Sequence, residues 1–147
     1  MAMVGPGKKR KRKLFQQYAA LPWTLREGVL LVMLLTSRET RRWIIPKGWP
    51  IKNLAPCDVA AKEAFEEGGL LGEIVRDPIA QFHYSKRMEG NKRRRCLVDV
   101  FPLAVKQELD AWPEQNERSR AWMTPEEAAD RVAESGLVKL LRKLPLP

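Results

Sequence analysis

Three glutamates fall within five residues of one another, Glu63, Glu66 and Glu67, in the segment Lys62-Glu63-Ala64-Phe65-Glu66-Glu67. On a helix each residue advances about 100°, so positions i, i+3 and i+4 occupy one sector of its surface. Carboxylates at this spacing repel one another by about 0.2–0.5 kcal/mol per pair, and something should compensate. Two readings supply the compensation. One is a solvated acidic face in a basic protein. The other is a hard divalent cation such as Mg²⁺, which takes oxygen ligands and is commonly shared with substrate phosphates. On the same wheel Cys57, Ala61, Ala64, Phe65 and Gly68 form a small-residue face suited to lying close against a sheet, which makes Cys57 a packing residue.

The elements that would position this segment are legible in outline. Phe15 to Trp23 reads as a first strand, Leu25 to Gly28 as a turn, and Val29 to Leu35 as a continuous apolar strand buried on both faces. Arg42-Trp43-Ile44-Ile45 is a short strand stopped by Pro46 and Gly48, and a loop follows from Lys47 to Ala55. Pro56 suits the first position of a helix, which continues until Gly68-Gly69 stops it. Glu73 to Tyr84 and Arg94 to Val105 have strand-like content around a polar turn at Glu89-Gly90-Asn91, a hairpin with basic residues at its tip. Thr124-Pro125-Glu126-Glu127 carries the marks of a helix start, predicting a helix to about Glu134, with a further turn or two between Leu137 and Leu144. Several strands with a helix in the middle and one near the end predict an α+β or α/β domain whose helices cover a sheet.

Composition removes many alternatives. At 147 residues, 44% of them hydrophobic, the chain is about one domain long and can bury a core. Two cysteines are too few for a disulfide framework, and with His83 the only histidine there is no Cys/His zinc cluster. His83, within Gln81-Phe82-His83-Tyr84, reads as a strand-face residue. No Gly-x-Ser-x-Gly nucleophile elbow is present. The longest apolar stretch, Val29 to Leu35, falls far short of the roughly 20 residues that span a bilayer, so the expectation is a cytoplasmic protein with no membrane partner. Trp49 and Trp112 suit either stacking on a base or packing, and Trp122 reads as core.

Lys and Arg number 27 against 18 Asp and Glu, a formal +9 that implies an anionic partner. Six of these cations are consecutive, Lys8 to Lys13, which leaves the rest of the chain with 21 basic against 18 acidic residues. Residues 1–13 therefore read as a basic arm and 14–147 as the domain.

The glutamate cluster also has an upstream partner at a fixed distance. Gly48, then Glu63, Glu66, Glu67, Gly69 and Leu70, align across 23 residues with the Nudix box: Gly, five residues, Glu, seven residues, Arg-Glu, an aliphatic, any residue, Glu-Glu, any residue, Gly, an aliphatic. The chain thus resembles the Nudix hydrolases, with Ala64 a small version of the first aliphatic. Leu54 stands where the box has its first Glu, and Lys62 where it has Arg, two positions that in the family help to fix the loop and orient the carboxylates.

The resemblance implies an α/β fold, a Nudix-type α/β/α sandwich with a mixed sheet, and cleavage of a diphosphate linked to another moiety. It implies that Glu63, Glu66, Glu67 and the Gly48 carbonyl hold Mg²⁺ or Mn²⁺, with Glu63 or Glu67 helping to deprotonate the attacking water. Thr36-Ser37-Arg38, Arg42-Trp43-Ile44-Ile45-Pro46, Lys92-Arg93-Arg94 and Arg118-x-Arg120-x-Trp122 are similar to the diphosphoinositol polyphosphate and diadenosine polyphosphate branch. Ser37, Arg38, Lys92, Arg93, Arg94 and Arg118 would then contact the phosphates of a polyphosphorylated small molecule. Where that branch carries basic residues in the first strand, this chain has Gln16-Gln17-Tyr18. Set against the hydrolase is a nucleic-acid-binding protein whose Nudix-like domain is idle, motivated by Lys8 to Lys13. Within the enzyme class, a nucleoside-diphosphate sugar or capped RNA is a further substrate option.

Overall fold

Alternation of small and apolar residues along Leu14–Arg26 serves two cores at once, because successive side chains of a strand point to opposite faces. Ala19 and Leu21 enter one core and Ala20 the other. In the computed structural model, which describes residues 13–144 and 146, this strand, β1, runs antiparallel to β2 (Val29–Thr36) and parallel to the long β7 (Arg93–Glu108). Two short strands, β3 (Trp43–Ile44) and β4 (Lys47–Gly48), pair with β2 and β1. On the far edge of β7 lie β5 (Leu70–Ile74) and β6 (Ala80–Arg87), and β8 (Arg120–Met123) pairs with β2. The sheet is mixed, as expected.

Helix α1 (Pro56–Gly68) covers one face, over Ala20, Met33, Leu35, Phe101 and Leu103. Helices α2 (Pro125–Arg131) and α3 (Ser135–Arg142) cover the other, over Leu21, Leu34, Val98 and Val100. These three layers are the α/β/α sandwich. No helix among the described residues is long and apolar enough to cross a membrane. The arm expected at residues 1–13 lies outside the described residues except for Lys13.

Several boundaries differ from the sequence reading. The segment Glu73 to Tyr84 is two strands, β5 and β6, set end to end along β7, because Asp77-Pro78 interrupts the ladder. Lys47-Gly48, expected in a loop, pairs with Tyr18 and Ala19 of β1. Strand β8 is too short and mixed to show a period of its own. Helix α2 begins at the expected capping box, with Thr124 Oγ1 accepting from the Glu127 backbone N–H and Glu127 Oε1 accepting from the Thr124 N–H at 2.8 Å. It ends at Arg131 and not near Glu134, because Val132 turns extended, bridges to Trp43 and enters the core.

The buried side of α1 also corrects an expectation. Cys57, Val59, Ala60, Ala64, Glu67 and Gly68 face inward, whereas Phe65, assigned to the packing face, is 36% exposed. Small residues at 57, 60, 64 and 68 bring the helix close to the sheet and draw Glu67 in with them.

Candidate active site

Glu63 and Glu67 lie one turn apart on α1. Burial is the main cause that raises both carboxyls above the usual range, and Glu67 is pushed up to about 8, against the opposing pull of Arg118. Gly48 meets Glu63 from β4: a Cβ on Gly48 would overlap the Glu63 carboxylate, so only glycine lets the strand pass this close.

Glu66 points elsewhere. Its carboxylate is paired with Lys62, one turn back on the exposed side. Three side chains on one sector of the helix were expected to face the same way, yet among the described residues no three acidic, His or Cys side chains converge on one point. Glu67 is on the buried edge of the sector, and the Lys62 ammonium draws Glu66 to the open edge. The donor chemistry of Glu63, Glu67 and the Gly48 backbone suits a hard divalent cation. Glu66 joins them only by leaving Lys62.

A segment beyond the box completes the site. Glu114 was not singled out from the sequence, and no local signal marks it. Its carboxylate accepts from Arg118 Nε at 2.7 Å. Arg118, expected at the substrate, has a side chain only 8% exposed: Nη1 donates to the Thr36 carbonyl at 3.2 Å, and Nη2 lies 4.0 Å from Glu67 Oε2. A second residue at the site is Lys47, beside Gly48 on β4. Burial lowers its pKa, Glu134 and Glu67 oppose this, and Lys86 and Arg118 add to it. Its Nζ sits 5.0 Å from the centroid of the Tyr84 ring.

The other expected substrate residues divide into two places. Ser37 and Arg38 lie in the turn after β2. There Ser37 Oγ is 2.7 Å from Thr40 Oγ1 and accepts from the Arg42 N–H, and Arg38 reaches Glu117 at 3.3 Å, next to Arg118. Arg93 and Arg94 line a hollow with Lys13, Phe15, Ser85 and Arg95. Within it the Arg94 guanidinium lies 4.5 Å from the Phe15 ring centroid, and Phe15 meets Trp49, the neighbour of Gly48, edge-on at 6.4 Å. Lys92 stands outside this hollow, at the end of the exposed hairpin tip. His83 is an exposed residue of β6, paired with Leu97.

The described sheet and helices are those of known proteins. A crystal structure of a C. elegans Ap4A hydrolase binary complex superposes with a TM-score of 0.68 at 19% identity, covering 88% of this chain and 94% of that one. A MutT protein from Methanosarcina mazei gives the same score at 15% identity, over 92% and 95%. In sequence, the chain is 30% identical over 109 residues to Nudix hydrolase 13, mitochondrial, from Arabidopsis thaliana, across 71% of this chain and 54% of that protein. It is 33% identical over 104 residues to diphosphoinositol polyphosphate phosphohydrolase 3-beta from Bos taurus, across 69% and 58%. The chain thus spans little more than half the length of these curated relatives. The model of the NUDIX domain matches residues 16–144, nearly the whole described chain and both sides of the Glu63–Glu67 pair, and the chain therefore belongs to the Nudix hydrolase family.

Proposed function

We propose that this protein hydrolyses a diphosphate linkage in a highly phosphorylated small molecule, a diphosphoinositol polyphosphate or a diadenosine polyphosphate, using Mg²⁺ or Mn²⁺. The observation that carries the reading is the Glu63 carboxylate set against the bare Cα of Gly48, one helical turn from the buried Glu67. Glu63, Glu67 and the Gly48 carbonyl would hold the metal, joined by Glu66. Bound there, the cation would neutralise diphosphate oxygens and lower the pKa of a water.

The chain's own residues supply the rest. With a metal bound, Glu67 would be ionised, and the Arg118 guanidinium, fixed by Glu114 and Thr36, would stabilise its carboxylate. The ionised Glu63–Glu67 pair accepts the proton of the attacking water. Arg38 beside Ser37 on one side, and Arg93, Arg94 and Lys92 on the other, offer guanidinium and ammonium donors to the remaining phosphates. Lys47 adds a half-buried cation next to Gly48. The cytoplasm is the compartment that goes with this reading.

The test is a panel of diadenosine polyphosphates, diphosphoinositol polyphosphates, nucleoside-diphosphate sugars and capped RNA with Mg²⁺ or Mn²⁺, followed by product identification. Turnover that disappears in a folded Glu67→Gln variant supports the reading, and unchanged turnover overturns it.

A nucleic-acid-binding role has one observation in its favour. Leu14 pairs with Arg95 across the parallel β1–β7 ladder, and Lys13, the last residue of the basic run, lies beside Arg93–Arg95. Removing residues 1–13 abolishes salt-dependent RNA affinity in that reading and leaves small-molecule turnover intact in the first.

A further inference from the structure

The last four carbonyls of a helix have no partners within it, and water usually serves some of them. At the end of α1 the Gly69 N–H, in the left-handed conformation at φ 65°, bonds the Ala64 and Phe65 carbonyls. The next four carbonyls all accept from one distant segment. The Glu114 N–H donates to Glu66 O at 3.0 Å, Trp112 Nε1–H to Glu67 O at 3.0 Å, Arg120 Nη1 to Gly68 O at 2.7 Å, and the Leu109 N–H to Gly69 O at 2.8 Å. Arg120 Nη2 closes the segment on itself through Leu109 O at 2.7 Å. The Trp112 ring is held between Gly69, where a Cβ would come within 2.6 Å of it, and the Arg120 guanidinium, 4.0 Å from a ring centroid.

This segment also brings Arg118, held by Glu114, to Glu67. Its seating on the helix end and the placing of the carboxylates are therefore one geometric fact. We propose that Trp112 is a positioning residue for the candidate metal site: through Glu67 O, and with Arg120, it fixes the last turn of α1 so that Glu67 stays in register with Glu63 and Arg118. The proposal rests on the reading of Glu63 and Glu67 as metal ligands.

Trp112→Phe keeps an aromatic ring against Gly69 and removes the Nε1–H donor together with part of the indole. The expected result is an about tenfold weaker Mn²⁺ Kd and an about tenfold lower kcat, with KM within about twofold and the circular dichroism spectrum unchanged. Arg120→Lys, which cannot bond two carbonyls as a planar fork, shifts both quantities in the same direction. Hydrogen exchange of the metal-free protein supplies a readout independent of activity. In Trp112→Phe the amides of the last turn of α1 exchange about fivefold faster relative to those of Val59–Ala61, as expected for loss of one hydrogen bond. Unchanged Mn²⁺ affinity and kcat in both variants overturn the proposal. Should the wild-type protein neither bind Mn²⁺ nor turn over any substrate, the functional reading fails, and the exchange result alone decides whether Trp112 fixes the helix end.

Discussion

The α-carbon of Gly48 abuts the carboxylate of Glu63, with no space between strand β4 and helix α1 for a side chain. Gly48→Ala must therefore turn Glu63 out of its place or push β4 away from β1. Mn²⁺ affinity and kcat are each expected to fall by about 10–100-fold, with only a small stability loss because the flexible Glu63 side chain can turn away. Calorimetric Mn²⁺ titration and chemical denaturation of the same variant measure the two effects, and a variant with wild-type Mn²⁺ affinity contradicts the close approach.

The raised pKa values of Glu63 and Glu67 predict how the metal-free protein responds to pH. Folding raises the Glu67 pKa from the ordinary carboxyl value to about 8, chiefly by burial, and Glu63 moves in the same direction. The folded state thus binds the proton more tightly than the unfolded chain. That contribution is complete below about pH 4.5 and is lost as pH rises toward 8. In EDTA the thermal midpoint of the wild type should decline between pH 5 and pH 8.5, and Glu67→Gln should flatten the decline. Since metal binding displaces the proton, Mg²⁺ affinity should rise over the same interval.

Lys62 competes with any cation for Glu66. Both partners of this i, i+4 pair are substantially exposed, which limits its worth to about 0.3–0.5 kcal/mol. Lys62→Gln should therefore leave the denaturation midpoint nearly unchanged and tighten Mn²⁺ binding by about twofold, the equivalent of that energy. Weaker binding in the variant would show that Lys62 helps to orient Glu66 toward the metal.

Arg94, stacked on Phe15, tests the basic hollow. Arg94→Ala is expected to raise KM for a diphosphoinositol polyphosphate by about tenfold, with kcat within about twofold, because the lost contact serves ground state and transition state alike. The effect should shrink at high salt. Equal KM for variant and wild type places the phosphates elsewhere.

Interactions between near neighbours were open to reading from the sequence. The box from Gly48 to Leu70, the start of α1 at Pro56 and its stop at Gly69, the Thr124–Glu127 cap and the hairpin turn at Glu89-Gly90-Asn91 are all written within a few residues of one another. Local chemistry fixes such features, because caps, turns and helix faces depend on spacing along the chain. Tertiary structure decided which way Glu67 faces. Close packing of α1 through its small residues drew Glu67 inward and left Phe65 at the surface, whereas the Lys62–Glu66 pair is local to the helix at i, i+4. Tertiary structure also delivered Glu114, Arg118 and Trp112 to the end of α1 from a loop more than forty residues away, through donors whose acceptors are backbone carbonyls. A carbonyl is present at every residue and carries no mark in the sequence, so bonds of this kind become visible only once the chain has folded.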